Sequence, residues 1–131
     1  MSQAAIIVAS SEQSVNAGAD IIRAGGNVID GAIAAAFATS AGEPSITSLA
    51  GGGVLIHRDA ERGSVEVYDL FSTAPGLGEA PASPDFSGID IRFPEGDVIQ
   101  TFHIGRAGAA VPGTLGGLCG LLHSRGKLGL G

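Results

Sequence analysis

Gly51-Gly52-Gly53, the Gly113-Thr114 pair, three histidines, one cysteine and the acids Glu43 and Asp69 are the residues whose types invite chemistry. A glycine run can cradle phosphate when its amides open a helix and a Lys-Ser/Thr pair follows. Here the run enters a strand-like stretch and no such pair follows, so it reads as close backbone packing. Thr114 follows a glycine, as a self-cleaved nucleophile would. Pro112 and leucines at helical spacing instead place it in the first turn of a helix, where a structural role is expected. His57, His103 and His123 fall in three separate elements without an i, i+4 pair or a Cys-x-x-Cys partner, which argues against a metal site. Two of them are expected at strand edges and one on a helix surface. Cys119 lies on an apolar helical stripe with no local Lys or Arg to favour its thiolate, and reads as a small core residue. Glu43 and Asp69 could be paired acids, but nothing in the spacing shows it, and Asp69 is as good a backbone-bonding turn residue. Residue types alone therefore assign no catalytic group, no metal and no cofactor.

The elements that must position these residues are written in the apolar spacing. Ala4 to Ala9 is a short apolar run with the pattern of a buried strand. Ser10-x-x-Gln13 matches a capping box, and Val15, Ala19 and Ile22 give one helical stripe that Gly25-Gly26 ends. Asn27 is a good N-cap with Asp30 three positions on, so a second helix is expected over about Val28 to Ala41. Its main stripe is Ile29, Ile33, Ala36 and Phe37, and Ala34, Ala35 and Ala38 make the rest apolar too. Such a helix is buried on more than one side, and alanine lets another backbone come close.

Residues 54 to 71 read as a β-hairpin with a five-residue loop, Val65 and Val67 on one face and Ser64 and Glu66 on the other. Pro75, Pro81, Pro84 and Pro94 then mark a long irregular segment. Val98 to Ile104 returns to strand character, and Leu115, Leu118, Cys119 and Leu122 predict a third helix from Pro112 to Ser124. The closing GKLGLG supplies no partner element, so the chain is expected to belong to a larger architecture. Two consecutive helices beside at least three strands favour an α+β arrangement with an antiparallel or mixed sheet.

Composition narrows the function classes. The chain has 131 residues, 44% hydrophobic and 15% charged, with 22 glycines and few aromatics, so the core must be aliphatic and the default is one domain. Its net charge of -6 is spread without a Lys/Arg cluster, which argues against nucleic acid and anionic membrane as partners. A lone cysteine forms no internal disulfide. The first residues lack a basic n-region and a long apolar run, and the longest small-residue stretch is too short for a bilayer span, so a soluble, cytoplasmic protein is expected.

The stretches ASSEQSVNAGADIIRAGGNVIDGAIAAAFA, EPSITSLAGGGVLIHRD, VEVYDLFSTAPG and AVPGTLGGLCGLLHSRGKL, in this order, resemble the start of the gamma-glutamyltranspeptidase family. The resemblance implies an N-terminal-nucleophile hydrolase with a four-layer αββα sandwich, of which this chain is the N-terminal part of the large subunit. It implies a self-cleaving precursor whose newly exposed Thr acts through its hydroxyl, with its own amine as base. That Thr lies outside these residues, so the piece alone is expected to be inactive. Its partners would be the remainder of its precursor or the small subunit, and a small-molecule amide or peptide substrate.

One site residue is carried over, and it departs from the family pattern. Members that act on glutathione usually have Arg as the third residue of the motif that here reads DLFSTAP, where it pairs with the glutamyl α-carboxylate. This chain has Phe71 there. A phenyl ring offers no donor to that anion, whereas a guanidinium grips it bidentately. Phe71 either lines an acyl pocket or is a core ring at a strand end. The expected activity is gamma-glutamyltransferase-like acyl transfer or amide hydrolysis. The alternatives are a non-catalytic scaffold or binding domain of the same fold, or an acylase with a non-glutamyl substrate.

Overall fold

In the computed structural model, which describes residues 5–76, 78 and 83–130, the chain divides into two units, residues 1–71 with 112–131 and residues 72–111. In the larger unit, helix α1 (Glu12–Arg23) starts at Ser11, whose side chain accepts from Ser14 N. The cap thus lies one residue beyond the expected Ser10. The shift lets Ser14 turn inward, fully buried, with Thr39 Oγ1 of the next helix 2.8 Å from its hydroxyl. Helix α2 (Val28–Gly42) begins at the expected capping box: Asn27 Oδ1 accepts from the amides of Ile29 and Asp30 at 2.9 and 3.0 Å, and Asp30 Oδ2 accepts from Asn27 N at 2.8 Å.

The helices cross where side chains vanish. A methyl at Gly18 would lie 2.9 Å from Gly31 O, and one at Gly31 would lie 2.9 Å from Ile22 Cδ1. The α2 face turned the other way carries Ile29 and Ile33, which join Leu70 and, from helix α3 (Thr114–Arg125), Leu118, Leu121 and Leu122 in one aliphatic core. Burying each such side chain stabilises the fold by about 1.5–3 kcal/mol. The α3 stripe is shifted from the expected one: Leu121 is buried and Leu115 is exposed. No described helix is long and apolar enough to cross a membrane.

Strands β1 (Val54–Asp59) and β2 (Ser64–Asp69) form the expected hairpin, antiparallel with His57 opposite Glu66. Asp59 closes β1 and binds the amides of Glu61 and Arg62 at 2.9 and 3.0 Å, which leaves a loop one residue shorter than expected. Leu55 and Tyr68 pack against the core, so the face carrying Val54, Ile56, Val65 and Val67 is the outer one, with Ile56 68% and Val67 66% exposed. The strand expected over Ala4 to Ala9 pairs with nothing among the described residues, and Ala4 lies outside them. Residues 5–9 are irregular backbone in which Ile7 and Ala9 are half-buried while Ile6 is 95% exposed.

The smaller unit holds an unexpected strand. β3 (Ser87–Phe93) pairs antiparallel with β4 (Val98–Ile104), within the stretch that its prolines marked as irregular, and Pro81 of that stretch lies outside the described residues. The alternation Ile89, Ile91, Phe93 outweighs the flanking Pro94, which sits in the connecting loop where a missing N–H costs no ladder bond. Asp85 accepts from Arg106 Nε at 3.1 Å, and the rings of Phe86 and His103 stack at 4.8 Å.

On the inner face of the first hairpin, Glu66 is the hub that ties α3 down. Arg125 donates to Glu66 Oε1 at 2.5 Å, Tyr68 donates its hydroxyl to Oε2 at 2.8 Å, and His57 Nδ1 lies 3.4 Å from the same oxygen. The Tyr68 and His57 hydrogen bonds, helped by Arg125, hold the Glu66 carboxyl below its usual value, and the same bond raises the Tyr68 phenol.

Two outcomes follow from this packing. Gly18→Ala must push α1 off the Gly31 carbonyl, so we expect a loss of about 1–3 kcal/mol in urea unfolding, against little change for Gly42→Ala, which meets nothing within 4 Å. Because the Glu66 pKa is depressed on folding, its stabilisation is complete above the ordinary glutamate value of about 4.3 and disappears as pH falls through the lower folded value. The difference in thermal midpoint between wild type and Glu66→Gln should therefore narrow as pH falls below about 4.3.

Candidate functional site

Phe71 follows β2 at a corner built almost wholly from backbone. Asp69 Oδ1 accepts from Phe71 N at 2.9 Å, the turn role weighed for Asp69 against an acid pair. Glu43, the residue that closes α2, accepts from Ser10 Oγ at 2.6 Å, so the two acids are engaged by different partners. Leu70, between Asp69 and Phe71, is buried in the core and exchanges backbone bonds with Gly53 at 2.9 and 3.2 Å. Phe71 itself is 63% exposed.

The glycine run works as close packing here. Gly51 O accepts from the amides of both Gly113 and Thr114 at 3.2 Å, which caps α3 with a carbonyl in place of a side chain. A methyl at Gly113 would overlap the carbonyl oxygens of Leu70 and Phe71, and one at Gly117 would overlap the Leu70 side chain. The Thr114 amide at the start of α3 is thus engaged by backbone, and no Lys-Ser/Thr pair follows the run, so the packing reading holds here. Thr114 is in the first turn of α3, as expected, and its Oγ1 is buried with no hydrogen-bond partner among the described residues.

The other candidates are not brought together. His57 lies on β1 beside Glu66, His103 stacks on Phe86 in the smaller unit, and His123 is exposed on α3. Cys119 is half-buried on α3. Among the described residues, no three His, Cys, Asp or Glu side chains gather as a metal would require. A concavity of about 830 Å³ lies between residues 5–9 and the small-residue side of α2, and no titratable side chain lines it. Its volume is set by alanines and glycine, and it holds no group able to move a proton.

Residue reading missed the Glu66 hub, because the expected five-residue loop would put His57 across from Val65, and only the shorter loop closed by Asp59 sets it opposite Glu66. Arg125 had no such signal, because its approach depends on the packing of α3.

Residues 14–131 match the gamma-glutamyltranspeptidase family. The acylase ACY 1 proenzyme of Pseudomonas sp. (strain SE83) is 39% identical over 114 residues, covering 87% of this chain and 20% of that protein. The glutathione hydrolase proenzyme of Bacillus subtilis (strain 168) is 35% identical over 101 residues, 77% of this chain and 16% of that protein. The chain thus spans about a fifth or less of the length of these curated relatives. Among solved structures, the gamma-glutamyltranspeptidase from Pseudomonas nitroreducens complexed with L-DON superposes with a TM-score of 0.70 at 25% identity, over 98% of this chain and 36% of that one. The Helicobacter pylori gamma-glutamyltranspeptidase gives 0.69 at 24% identity, over 97% and 34%. Three helices and two small sheets therefore make an α+β fold that is the N-terminal portion of the N-terminal-nucleophile hydrolase sandwich, incomplete within these residues. By the family match and by these relatives, the chain belongs to the gamma-glutamyltranspeptidase family.

Proposed function

We propose that the protein of which this chain is part carries out acyl transfer or amide hydrolysis, and that its acyl donor is not a γ-glutamyl group. One observation carries the reading: the position that would supply a guanidinium to the glutamyl carboxylate holds Phe71, an exposed residue just past the end of β2. A desolvated carboxylate facing a phenyl ring loses the charged hydrogen bonds that a guanidinium makes, each about 1.5–3 kcal/mol. An apolar acyl chain loses nothing there and gains contact area. The acylase proenzyme among the relatives supports a broader range of acyl groups within this family.

In this reading residues 1–131 are framework. The reactive hydroxyl belongs to a Thr elsewhere in the precursor, exposed by self-cleavage, with its own amine taking the proton as the hydroxyl attacks the amide carbonyl. The amine of the substrate leaves with that proton, and water or a second amine then takes the acyl group. The outer face of the first hairpin, apolar and exposed, supports a partner in the remainder of the precursor or the small subunit.

The test is made on the full-length protein. Mass spectrometry should find the precursor split in two, and an unsplit precursor would favour the non-catalytic scaffold. A γ-glutamyl anilide should be turned over poorly beside a panel of apolar acyl amides. Phe71→Arg should shift the ratio of kcat/KM values towards the glutamyl substrate by about 10- to 100-fold, the scale of one charge-assisted hydrogen bond. Ready glutamyl turnover by the wild type would overturn the substrate reading and leave the family chemistry standing.

A further inference from the structure

Asp30 is a buried carboxylate, 3% exposed, for which the chemistry above has no use. Capping α2 needs only its bond to Asn27 N. The same carboxylate also reaches the backbone almost a hundred residues away: Oδ2 accepts from Lys127 N at 2.9 Å, and Oδ1 lies 3.1 Å from Lys127 N and 3.2 Å from Leu128 N. Asn27, the other half of the cap, donates its side-chain amide to Arg125 O at 2.7 Å. Both capping residues of α2 therefore hold the chain where it leaves α3.

That outgoing segment forms one side of a half-open apolar hollow. The hollow, about 180 Å³, is lined by Ile21 of α1, Ile33 and Phe37 of α2, Leu122 of α3, and by Leu128 and Leu130 of the segment itself, with Asp30 in its wall. We propose that residues 126–130 are a strap, latched by Asp30 and Asn27, whose release widens this apolar space between the three helices without unwinding them.

The bonding favours a latch over plain packing. Leu128 and Leu130 remain substantially exposed, so little apolar burial holds the segment down, and the hydrogen bonds to two side chains do most of it. The partners of the carboxylate from α2 and the strap are all backbone amides, and no charged side chain of α1, α2, α3 or the strap is among them. Burial pushes the Asp30 carboxyl up, and the amides of Lys127, Asn27, Leu128 and Gly129 overcome that and hold it below its ordinary value. A depressed carboxyl keeps the latch closed above about pH 3.9 and releases it as pH falls through the lower folded value.

Two substitutions separate the latch from the helix cap. Asp30→Ala removes both. Gly126→Ala leaves Asp30 and Asn27 in place, but its methyl would overlap Leu122 O and come within 2.8 Å of Asp30 Oδ1, which forces the strap off. Amide exchange of the full-length protein at neutral pH, read by mass spectrometry on peptides spanning the strap and the start of α2, gives the outcome. The Lys127 and Leu128 amides should be protected in the wild type, and each substitution should raise their exchange by about tenfold or more, the scale of one hydrogen bond. Gly126→Ala should leave the Ile29 and Asp30 amides as protected as in the wild type. Asp30→Asn, whose carbonyl accepts without charge, should fall between wild type and Asp30→Ala. Unprotected Lys127 and Leu128 in the wild type, no change in either variant, or equal loss at strap and cap in Gly126→Ala would each overturn the proposal.

Discussion

The larger unit is organised around the enclosure of α2 on two sides. A helix can take a neighbour at backbone distance only if the facing side chains are absent, and a core on the other face only if those side chains are large. α2 meets both demands at once, with Gly31 and Ala35 turned to α1 and Ile29 and Ile33 turned to α3 and the hairpin. The alanines between them are what remains when neither demand admits bulk. Because Gly18 and Gly31 set how near α1 can come, they also set where Ser14 meets Thr39, the one buried hydroxyl contact between the two helices among the described residues.

Local signals in the sequence were reliable at Asn27 and Asp69, where a side chain bonds its own backbone, and off by one residue at the α1 cap. Asn27 with Asp30 named the start of α2, and Asp69 behaved as the turn residue it resembled, because these bonds form within a few residues whatever else packs nearby. Pattern told less about facing. The alternation Val65, Val67 against Ser64, Glu66 marked β2, but the apolar side is the outer one, and the helices rest on Leu55 and Tyr68 with a charged hub beside them. Period two says that a strand has two faces; which face is covered is decided by elements distant in sequence. β3 was hidden for a related reason, since prolines around a strand carry the same letters as prolines in a loop. Residues 5–9 have strand spelling and no ladder, because composition cannot supply a neighbour.

At the candidate site the side chain was legible and the setting was not. Phe71 was singled out from its motif, and nothing in its neighbours announced that Gly51 O would take the Gly113 and Thr114 amides or that Gly113 would sit under the Leu70 and Phe71 carbonyls. These contacts join three segments through backbone atoms, which every residue type shares and no letter encodes. The corner is consequently intolerant of any side chain at Gly113 and open at Phe71, so the residue at position 71 can vary while its mounting cannot.

The bare backbone of residues 5–9 has a consequence for how copies of this chain meet. The stretch is free of charge and proline, Ile6 and Val8 are exposed, and it joins no ladder among the described residues. An uncovered apolar backbone of this kind is a template for a strand from another chain, so concentrated solutions of these residues invite edge-to-edge association until a neighbouring strand covers them.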